Sequence, residues 1–252
     1  MGETIVFTSG KGGVGKTTTI ASIGVGLSQL DKKVVMLDTD MGLRNLDVVM
    51  GLEEQINYNL LDLLEGKCRI QQALIRDKRF SNLYLIPASL SMPDLKQYEQ
   101  AFHKLIFQLK QDFDYCLIDC PAGIDRGFHF AVSVADRAII LTTPHISAIK
   151  DAGRVLRLLN GTRISRIEMI INEYDKKLVK KHYMLSCDDI LELFDIPILG
   201  TIPHDYKVII SQNNGLPIIA MHSKAGKSFM TLLKEITKEM SIREGELAYD
   251  IS

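Results

Sequence analysis

The sequence predicts an α/β fold in which a mostly parallel central β-sheet is covered by helices on both faces. Short β-branched runs alternate with helical patterns, as in right-handed βαβ units. Most of these runs are apolar throughout, which is typical of strands buried on both faces. The chain has 252 residues, 46% hydrophobic and 24% charged, and no linker rich in Pro, Gly or Ser divides it. We therefore expect one domain over residues 1–240 and an acidic tail over 241–252.

Seven predicted strands share this dense apolar character. They are Thr4–Ser9, Lys33–Leu37, Leu83–Pro87, Tyr115–Asp119, Arg137–Thr142, Ile167–Asn172 and Ile198–Ile202. Helical patterns lie between them, the longest being Thr17–Leu30, Asp94–Leu109, Ile146–Leu159, Asp188–Phe194 and Lys224–Met240. Ligands of such folds bind at the carboxyl ends of the strands, so the loops at those ends hold the candidate functional residues.

The loop after the first strand is predicted to bind phosphate. Residues Gly10 to Thr17 read GKGGVGKT and match the pattern G-x-x-x-x-G-K-[ST] between a strand and a helix. Glycines let backbone N–H groups approach phosphate, and the helix N-terminus adds its positive dipole end. Lys16 is expected to reach the β- and γ-phosphates, and the Thr17 hydroxyl to bind Mg²⁺. The expected nucleotide-binding residues here are Gly12, Gly13, Val14, Gly15, Lys16, Thr17 and Thr18. This motif predicts a P-loop NTPase.

Three carboxylates lie at the ends of the second and fourth predicted strands. Asp38 and Asp40 lie two residues apart at the end of the second strand, and Asp119 ends the apolar run of DYCLID. Carboxylates in these positions hold Mg²⁺ directly or through water, and they orient the attacking water. We expect Asp38 and Asp119 to bind Mg²⁺ and Asp40 to position water.

Lys11 is an additional lysine that an ordinary phosphate loop does not need. With the glycines after it, Lys11 forms the variant KGGVGKT, and here the sequence resembles the MinD/ParA family of deviant-Walker ATPases. The resemblance covers nearly the whole chain and is strongest to the MinD branch. Its segments are GLRNLDVVMGLE at 42–53, NLLDLLEG at 59–66, NLYLIPAS at 82–89, PAGID at 121–125, SAIKDAGRVL at 147–156 and MLSCDDILELF at 184–194.

The resemblance implies an ATPase that acts in placement of the division septum. Such a protein binds ATP/ADP with Mg²⁺, forms an ATP-dependent homodimer and is released by hydrolysis. Lys11 would cross the dimer interface to the nucleotide of the partner, and would form the catalytic set with Lys16 and Asp40. The further expected partners resemble MinC and MinE.

The resemblance also implies how the base is bound. Asn172 matches an asparagine that reads adenine, and Pro203 and Asp205 match a second loop that contacts adenine. Both segments follow predicted strands, where the base is expected, and an amide can pair with the N6/N7 edge of adenine.

Three other functions of related ATPases fit the sequence less well. An FlhG-like regulator of flagellar number or placement carries a helix before the first strand, and here that strand starts at Thr4. A ParA-like DNA segregation ATPase is disfavoured by the formal net charge of −1 and by the GLRNLD segment, so no sequence-specific nucleic acid partner is expected. An iron–sulfur carrier needs a cysteine pair, and the four cysteines form no CxxC.

The C-terminal tail does not resemble a membrane-binding helix. From Ser241 to Ser252 it carries one basic and three acidic residues and no apolar stripe. Anchoring to an anionic membrane needs both apolar side chains and basic residues. We therefore expect no amphipathic membrane helix here and a cytoplasmic protein, which partners or a further C-terminal segment could bring to the inner face of the cell membrane.

Overall fold

The computed structural model describes residues 1–237, which form an eight-stranded sheet with helices on both faces. The strands are β1 (Glu3–Thr8), β2 (Val34–Asp38), β3 (Ile75–Arg76), β4 (Leu83–Ile86), β5 (Tyr115–Asp119), β6 (Arg137–Thr142), β7 (Arg166–Ile171) and β8 (Ile198–Thr201). Their order across the sheet is β3-β4-β2-β5-β1-β6-β7-β8. All pairs are parallel except β3 with β4 at one edge.

The strand order brings three chain segments together at the carboxyl edge of the sheet. β1 lies between β5 and β6, and β2 lies on the other side of β5. In this register Asp38 of β2 is the neighbour of Asp119 of β5, which in turn is the neighbour of Phe7 in β1. The loops after β1, β2 and β5 therefore meet where the strand order reverses, which is where ligands of open α/β sheets bind.

Eleven helices cover the sheet within the described part of the chain. They are α1 (Lys16–Gln29), α2 (Leu46–Met50), α3 (Leu60–Leu64), α4 (Ile70–Ala73), α5 (Glu99–Asp112), α6 (Arg126–Val132), α7 (Ile146–Leu159), α8 (Lys176–Lys180), α9 (Cys187–Phe194), α10 (Lys207–Asn213) and α11 (Lys224–Thr237). Buried side chains of α1, α2 and α11 form the apolar layer on one face, and those of α3, α5, α6, α7 and α9 form the layer on the other. The predicted fold class is confirmed.

The seven predicted strands are present with ends that differ by at most one residue. β3 was not predicted, because a strand of two residues carries no apolar pattern. The helix predicted over 94–109 is wrong at both ends. Its first turn is a 3₁₀ helix (Leu95–Tyr98) capped by Asp94, and α5 continues to Asp112.

The last predicted helix is described as far as Thr237. Met240 and the acidic tail at 241–252 lie outside the described residues. Among residues 1–237, no helix combines the length and the apolar character that spanning a membrane requires.

A buried ion pair lies at the amino edge of the sheet. Arg137, at the start of β6, is 1% exposed, and its Nε lies 2.5 Å from Oε2 of Glu168 on β7. Arg166 lies 2.9 Å from the other oxygen of Glu168. Arg137 Nη1 also donates a hydrogen bond to the carbonyl oxygen of Ile236 at 3.2 Å, which fixes α11 against this edge.

Candidate active site

The phosphate loop lies between β1 and α1 and depends on two glycines. Gly13 and Gly15 have φ angles of 77° and 92°, which residues with a Cβ atom rarely adopt. A Cβ atom on Gly15 would also collide with the side-chain amide of Asn172. At the start of the loop, Ser9 Oγ donates a hydrogen bond to the carbonyl oxygen of Lys11 at 2.8 Å. The loop thus has the tight conformation that brings successive backbone N–H groups toward one anion.

The two lysines of the loop lie in different environments. Lys16 begins α1 and is only 8% exposed, close enough to Asp40 and Asp119 to favour their charged forms. Lys11 is exposed. Lys16 can therefore act on a phosphate inside its own chain, whereas Lys11 is accessible to a second molecule.

Asp38 ends β2, and its side chain organises the loop that follows. Its Oδ1 accepts a hydrogen bond from the backbone N–H of Asp40 at 2.9 Å. Its Oδ2 accepts hydrogen bonds from the N–H groups of Asn45 and Leu46, each at 3.1 Å. Asp38 therefore caps the N-terminus of α2. Burial raises the pKa of Asp38 to about 6, even though these N–H groups favour the carboxylate.

Asp119 is a buried carboxyl group with an unused oxygen. The residue is 2% exposed, and its Oδ1 has no hydrogen-bond partner within residues 1–237. Burial and the neighbouring Asp38 raise the pKa of Asp119 to about 8, while Lys16 and a hydrogen bond with the Thr17 side chain favour the charged form. A buried acid with a free oxygen is an incomplete arrangement that a cation can complete.

Asp40 lies beside this pair and is more accessible. It is half-buried, and burial raises its pKa while Lys16 lowers it. Its backbone N–H is held by Asp38, so the position of the residue is fixed. The structure thus places Lys16, Thr17, Asp38, Asp40 and Asp119 together at the carboxyl edge of the sheet.

A cavity of about 230 Å³ continues from the phosphate loop toward α10. Its lining residues come from several elements and include Gly13, Gly15, Thr18, Asn172, Pro203, Asp205 and Gln212. Asn172 Nδ2 donates a hydrogen bond to the carbonyl oxygen of Val14 at 2.9 Å, and its Oδ1 accepts one from the N–H of Glu173 at 2.9 Å. The asparagine therefore holds the phosphate loop directly and faces the cavity.

Asp205 lines this cavity and also accepts hydrogen bonds from the backbone of two helices. Its Oδ1 accepts a hydrogen bond from the N–H of Lys207, and its Oδ2 accepts two from the N–H groups of Lys224 and Ala225, at 2.9–3.1 Å. Burial favours the neutral form of Asp205, but the backbone N–H groups of Ala225, Lys207 and Lys224 outweigh it and lower its pKa. Asp205 thus joins the starts of α10 and α11.

Sequence reasoning missed two further residues of this region. Gln212 on α10 lines the cavity, and its Nε2 donates a hydrogen bond to Thr18 Oγ1 at 2.7 Å. Thr39 donates through its hydroxyl to the carbonyl oxygen of Asp119 at 2.7 Å. Thr39 lies between two predicted site residues, which was a usable signal. Gln212 had no local signal, because its partner is 194 positions away.

Comparison with known proteins identifies the family. Residues 2–182 match a family profile described as an AAA domain. The septum site-determining protein MinD of Synechocystis is 45% identical over 238 residues, which cover 94% of this chain and 90% of that protein. The chain belongs to the MinD family. MinD of Bacillus subtilis is 48% identical, with 86% of this chain and 82% of that protein covered.

Solved structures of MinD proteins have the same fold. MinD of Aquifex aeolicus matches with a TM-score of 0.85 and 39% identity, over 94% of this chain and 97% of that one. In a MinC:MinD complex from Aquifex aeolicus the match has a TM-score of 0.83 and 37% identity, over 99% and 98% of the chains. MinD of Pyrococcus horikoshii, solved with Mg-ADP, matches with a TM-score of 0.86 and 28% identity, over 98% and 100%.

Membership of the MinD family decides among the functions considered above. The chain is a P-loop ATPase of the MinD type, related to proteins that determine the septum site. The FlhG-like and ParA-like alternatives are not favoured.

Proposed function

We propose that this MinD-family chain is an Mg²⁺-dependent ATPase that dimerises when ATP is bound and dissociates after hydrolysis. The observation that carries the proposal is the buried pair of Asp38 and Asp119 next to the phosphate loop, with one oxygen of Asp119 unpartnered within residues 1–237. The fold alone does not need two adjacent buried acids. A site for a cation and a polyphosphate does.

The residues at the carboxyl edge of the sheet fit a magnesium ion. Mg²⁺ prefers oxygen ligands and usually keeps several waters, so one or two carboxylates with a hydroxyl and substrate phosphates suffice. Thr17, Asp38 and Asp119 would hold it, Asp38 through water because its oxygens already accept three backbone hydrogen bonds. When bound, Mg²⁺ neutralises charge on the phosphates.

The protein side chains supply the remaining chemistry. The glycines of the loop present backbone N–H groups to the phosphates, and Lys16 binds the β- and γ-phosphate oxygens. Asp40 holds a water in line with the γ-phosphate and accepts its proton as the new oxygen–phosphorus bond forms and the bond between the γ-phosphorus and the departing ADP oxygen breaks. Its raised pKa makes it a somewhat stronger base than an exposed aspartate. ADP and phosphate are the products.

Lys11 couples this chemistry to dimerisation. Since its side chain is exposed at the mouth of the loop, it can reach a nucleotide bound by a second copy. A lysine that touches the γ-phosphate of the partner favours the ATP dimer and stabilises charge in the transition state. Hydrolysis removes that contact, which limits the lifetime of the dimer.

The base is proposed to lie in the cavity next to Asn172. The carboxamide of Asn172 has a second N–H and a second lone pair, so it can pair with adenine while keeping its contacts with Val14 and Glu173. Pro203 and Asp205 also line this cavity and would contact the base.

The MinC:MinD complex of Aquifex aeolicus supports a MinC-like partner for this chain. A MinE-like partner that stimulates hydrolysis follows only from the family resemblance. Both would act at the inner face of the cell membrane, on a protein that is otherwise cytoplasmic.

Two assays test the proposed function. Phosphate release and calorimetric titration with ATP, each with Mg²⁺ and with chelator, should show turnover only with Mg²⁺. In a bacterial strain that lacks its own MinD, the chain produced with its native partners should restore septa at midcell. Turnover that is equal in chelator, or polar septa despite active protein, would overturn the corresponding part of the proposal.

A further inference from the structure

Gln212 connects α10 to the first turn of α1, where the nucleotide must pass. Its Nε2 donates a hydrogen bond to Thr18 Oγ1 at 2.7 Å. Thr18 lies two residues after Lys16 and also lines the cavity next to Asn172. A nucleotide with its phosphates at Lys16 and its base at Asn172 therefore runs alongside Thr18.

The direction of this hydrogen bond determines what Thr18 can offer to a ligand. Because the amide of Gln212 donates, the Thr18 oxygen is the acceptor and its hydroxyl hydrogen stays free. Within residues 1–237 the Thr18 hydroxyl has no acceptor of its own. A hydroxyl that accepts one hydrogen bond is a stronger donor in a second. Thr18 is thus left as a polarised donor beside the path of the phosphates.

The position of Gln212 is fixed by contacts at the C-terminal end of α10, where Gln212 itself lies. Arg79 donates hydrogen bonds to the carbonyl oxygens of Met50 and Gly215, the second at 2.7 Å, and is itself held by Asp77 at 2.7 Å. It thereby joins the end of α2 to the loop after α10. Gly51 and Gly215 meet there so closely that a Cβ on Gly215 would lie 2.6 Å from Cα of Gly51. Gln212 therefore extends from a helix that is anchored on both sides.

We propose that Gln212 is a positioning residue for the nucleotide, which orients the Thr18 hydroxyl so that it donates to the phosphate nearest the ribose. This inference rests on the proposed nucleotide binding and adds a group that the phosphate-loop motif does not contain. Both ATP and ADP carry that phosphate, so Gln212 contributes equally to binding of either nucleotide. The γ-phosphate chemistry does not depend on it.

Two substitutions of Gln212 separate its hydrogen bond from its packing. Gln212→Met keeps the length of the side chain and removes the donor, so the affinity for ATP and ADP should fall about 5-fold. Gln212→Glu replaces the donor with an acceptor that takes the Thr18 hydrogen and adds negative charge. It should lower the affinity more, by about 10-fold or greater. Asn214→Ala, at the residue that follows α10 and away from the cavity, is the matched control and should bind like wild type.

The experiment is calorimetric titration of each variant with Mg-ATP and Mg-ADP, together with kcat and KM for ATP hydrolysis. For the Gln212 variants we expect affinity to fall equally for the two nucleotides. In ATP hydrolysis, KM should rise and kcat at saturating ATP should not change. Thr18→Val should lower affinity similarly, and the double variant Thr18→Val/Gln212→Met should be no weaker than Thr18→Val alone. Thermal unfolding of each variant checks that the fold is intact.

Three results would overturn the proposal: wild-type affinity in Gln212→Met, losses that add in the double variant, or a fall in kcat with unchanged KM. If wild-type protein binds no nucleotide, the proposed function itself fails, and that outcome differs from all three.

Discussion

Buried ionisable side chains are paired with opposite charges at one end of the sheet and not at the other. At the amino edge Arg137 and Glu168 are 1% and 3% exposed, and they form an ion pair that Arg166 extends. At the carboxyl edge Asp38 and Asp119 are equally buried, but no basic side chain within residues 1–237 forms an ion pair with either. One end balances its charges within the chain and contributes to the fold. The other holds two adjacent carboxyl groups whose negative charge, when they ionise, is left for a ligand to balance.

The largest expected effect on stability comes from breaking the pair at the amino edge. Among residues 1–237, Glu168→Gln leaves the buried Arg137 charge with only the more distant Glu3, at 3.9 Å, to compensate it. Removing one member of a buried ion pair costs about 3–5 kcal/mol of unfolding free energy, and denaturant unfolding should show a loss of that size. Nucleotide affinity should be unchanged at temperatures where the variant is folded. Glu65→Gln, in the exposed pair with Lys67, is the control and should unfold like wild type.

Among substitutions at the carboxyl edge, removal of the Lys16 side chain should have the largest effect on ATP affinity. Lys16→Ala deletes the buried charge that faces the phosphates, so affinity for ATP should fall at least about 100-fold, beyond ordinary detection by calorimetry. The exposed Lys104→Ala serves as control. If Lys16→Ala binds ATP as tightly as wild type, Lys16 and the phosphate loop do not bind the phosphates of ATP.

The pH dependence of stability should also differ between the two ends of the sheet, because Asp119 at the carboxyl edge has a raised pKa. Burial and the neighbouring Asp38 raise the pKa of Asp119 in the folded protein to about 8 from its ordinary 3.8, so the folded protein keeps a proton that the unfolded chain loses. Without Mg²⁺, the free energy of unfolding should therefore fall as the pH rises between these two pKa values. Asp119→Asn should remove part of that fall and unfold at higher temperature than wild type at pH 8, while losing Mg²⁺-dependent ATP binding.

Melting curves at pH 5 and pH 8, without metal, measure this effect. Glu192→Gln, on the exposed side of α9, should keep the wild-type pH dependence. An Asp119→Asn protein that is less stable than wild type at pH 8 would mean that Asp119 is balanced within the chain after all.

The smallest expected effect concerns the exposed lysine of the loop. Lys11→Ala should bind ADP normally, because its side chain is not enclosed in its own site. Dimerisation in ATP should weaken about 10-fold, since a charge-assisted contact with the nucleotide of the partner is lost. Sedimentation of wild type and variant at several concentrations measures this. Equal dimerisation in ATP would exclude the role across the interface.

The carboxyl edge was largely predictable from sequence, whereas the amino edge was not. Lys16, Asp38 and Asp119 each follow or end an apolar strand within a recognisable local pattern, so periodicity and motif were sufficient. The pairing of Arg137 with Glu168 depends on β6 and β7 being neighbours in register, which no local pattern encodes. The Gln212–Thr18 contact likewise depends on where the fold places α10 relative to α1. The three backbone hydrogen bonds to Asp205 were also not foreseen.

The coupling of dimerisation to hydrolysis is tested by the molar mass of Asp40→Ala in Mg-ATP and in Mg-ADP, with phosphate release measured on the same samples. The variant keeps the phosphate loop and the magnesium carboxylates but lacks the group that positions water, so hydrolysis should slow by about 100-fold or more. We expect a stable mass twice that of the single chain in ATP and a single chain in ADP. A monomer in ATP, or hydrolysis at the wild-type rate, would contradict the account of an ATP-bound dimer ended by hydrolysis at Asp40.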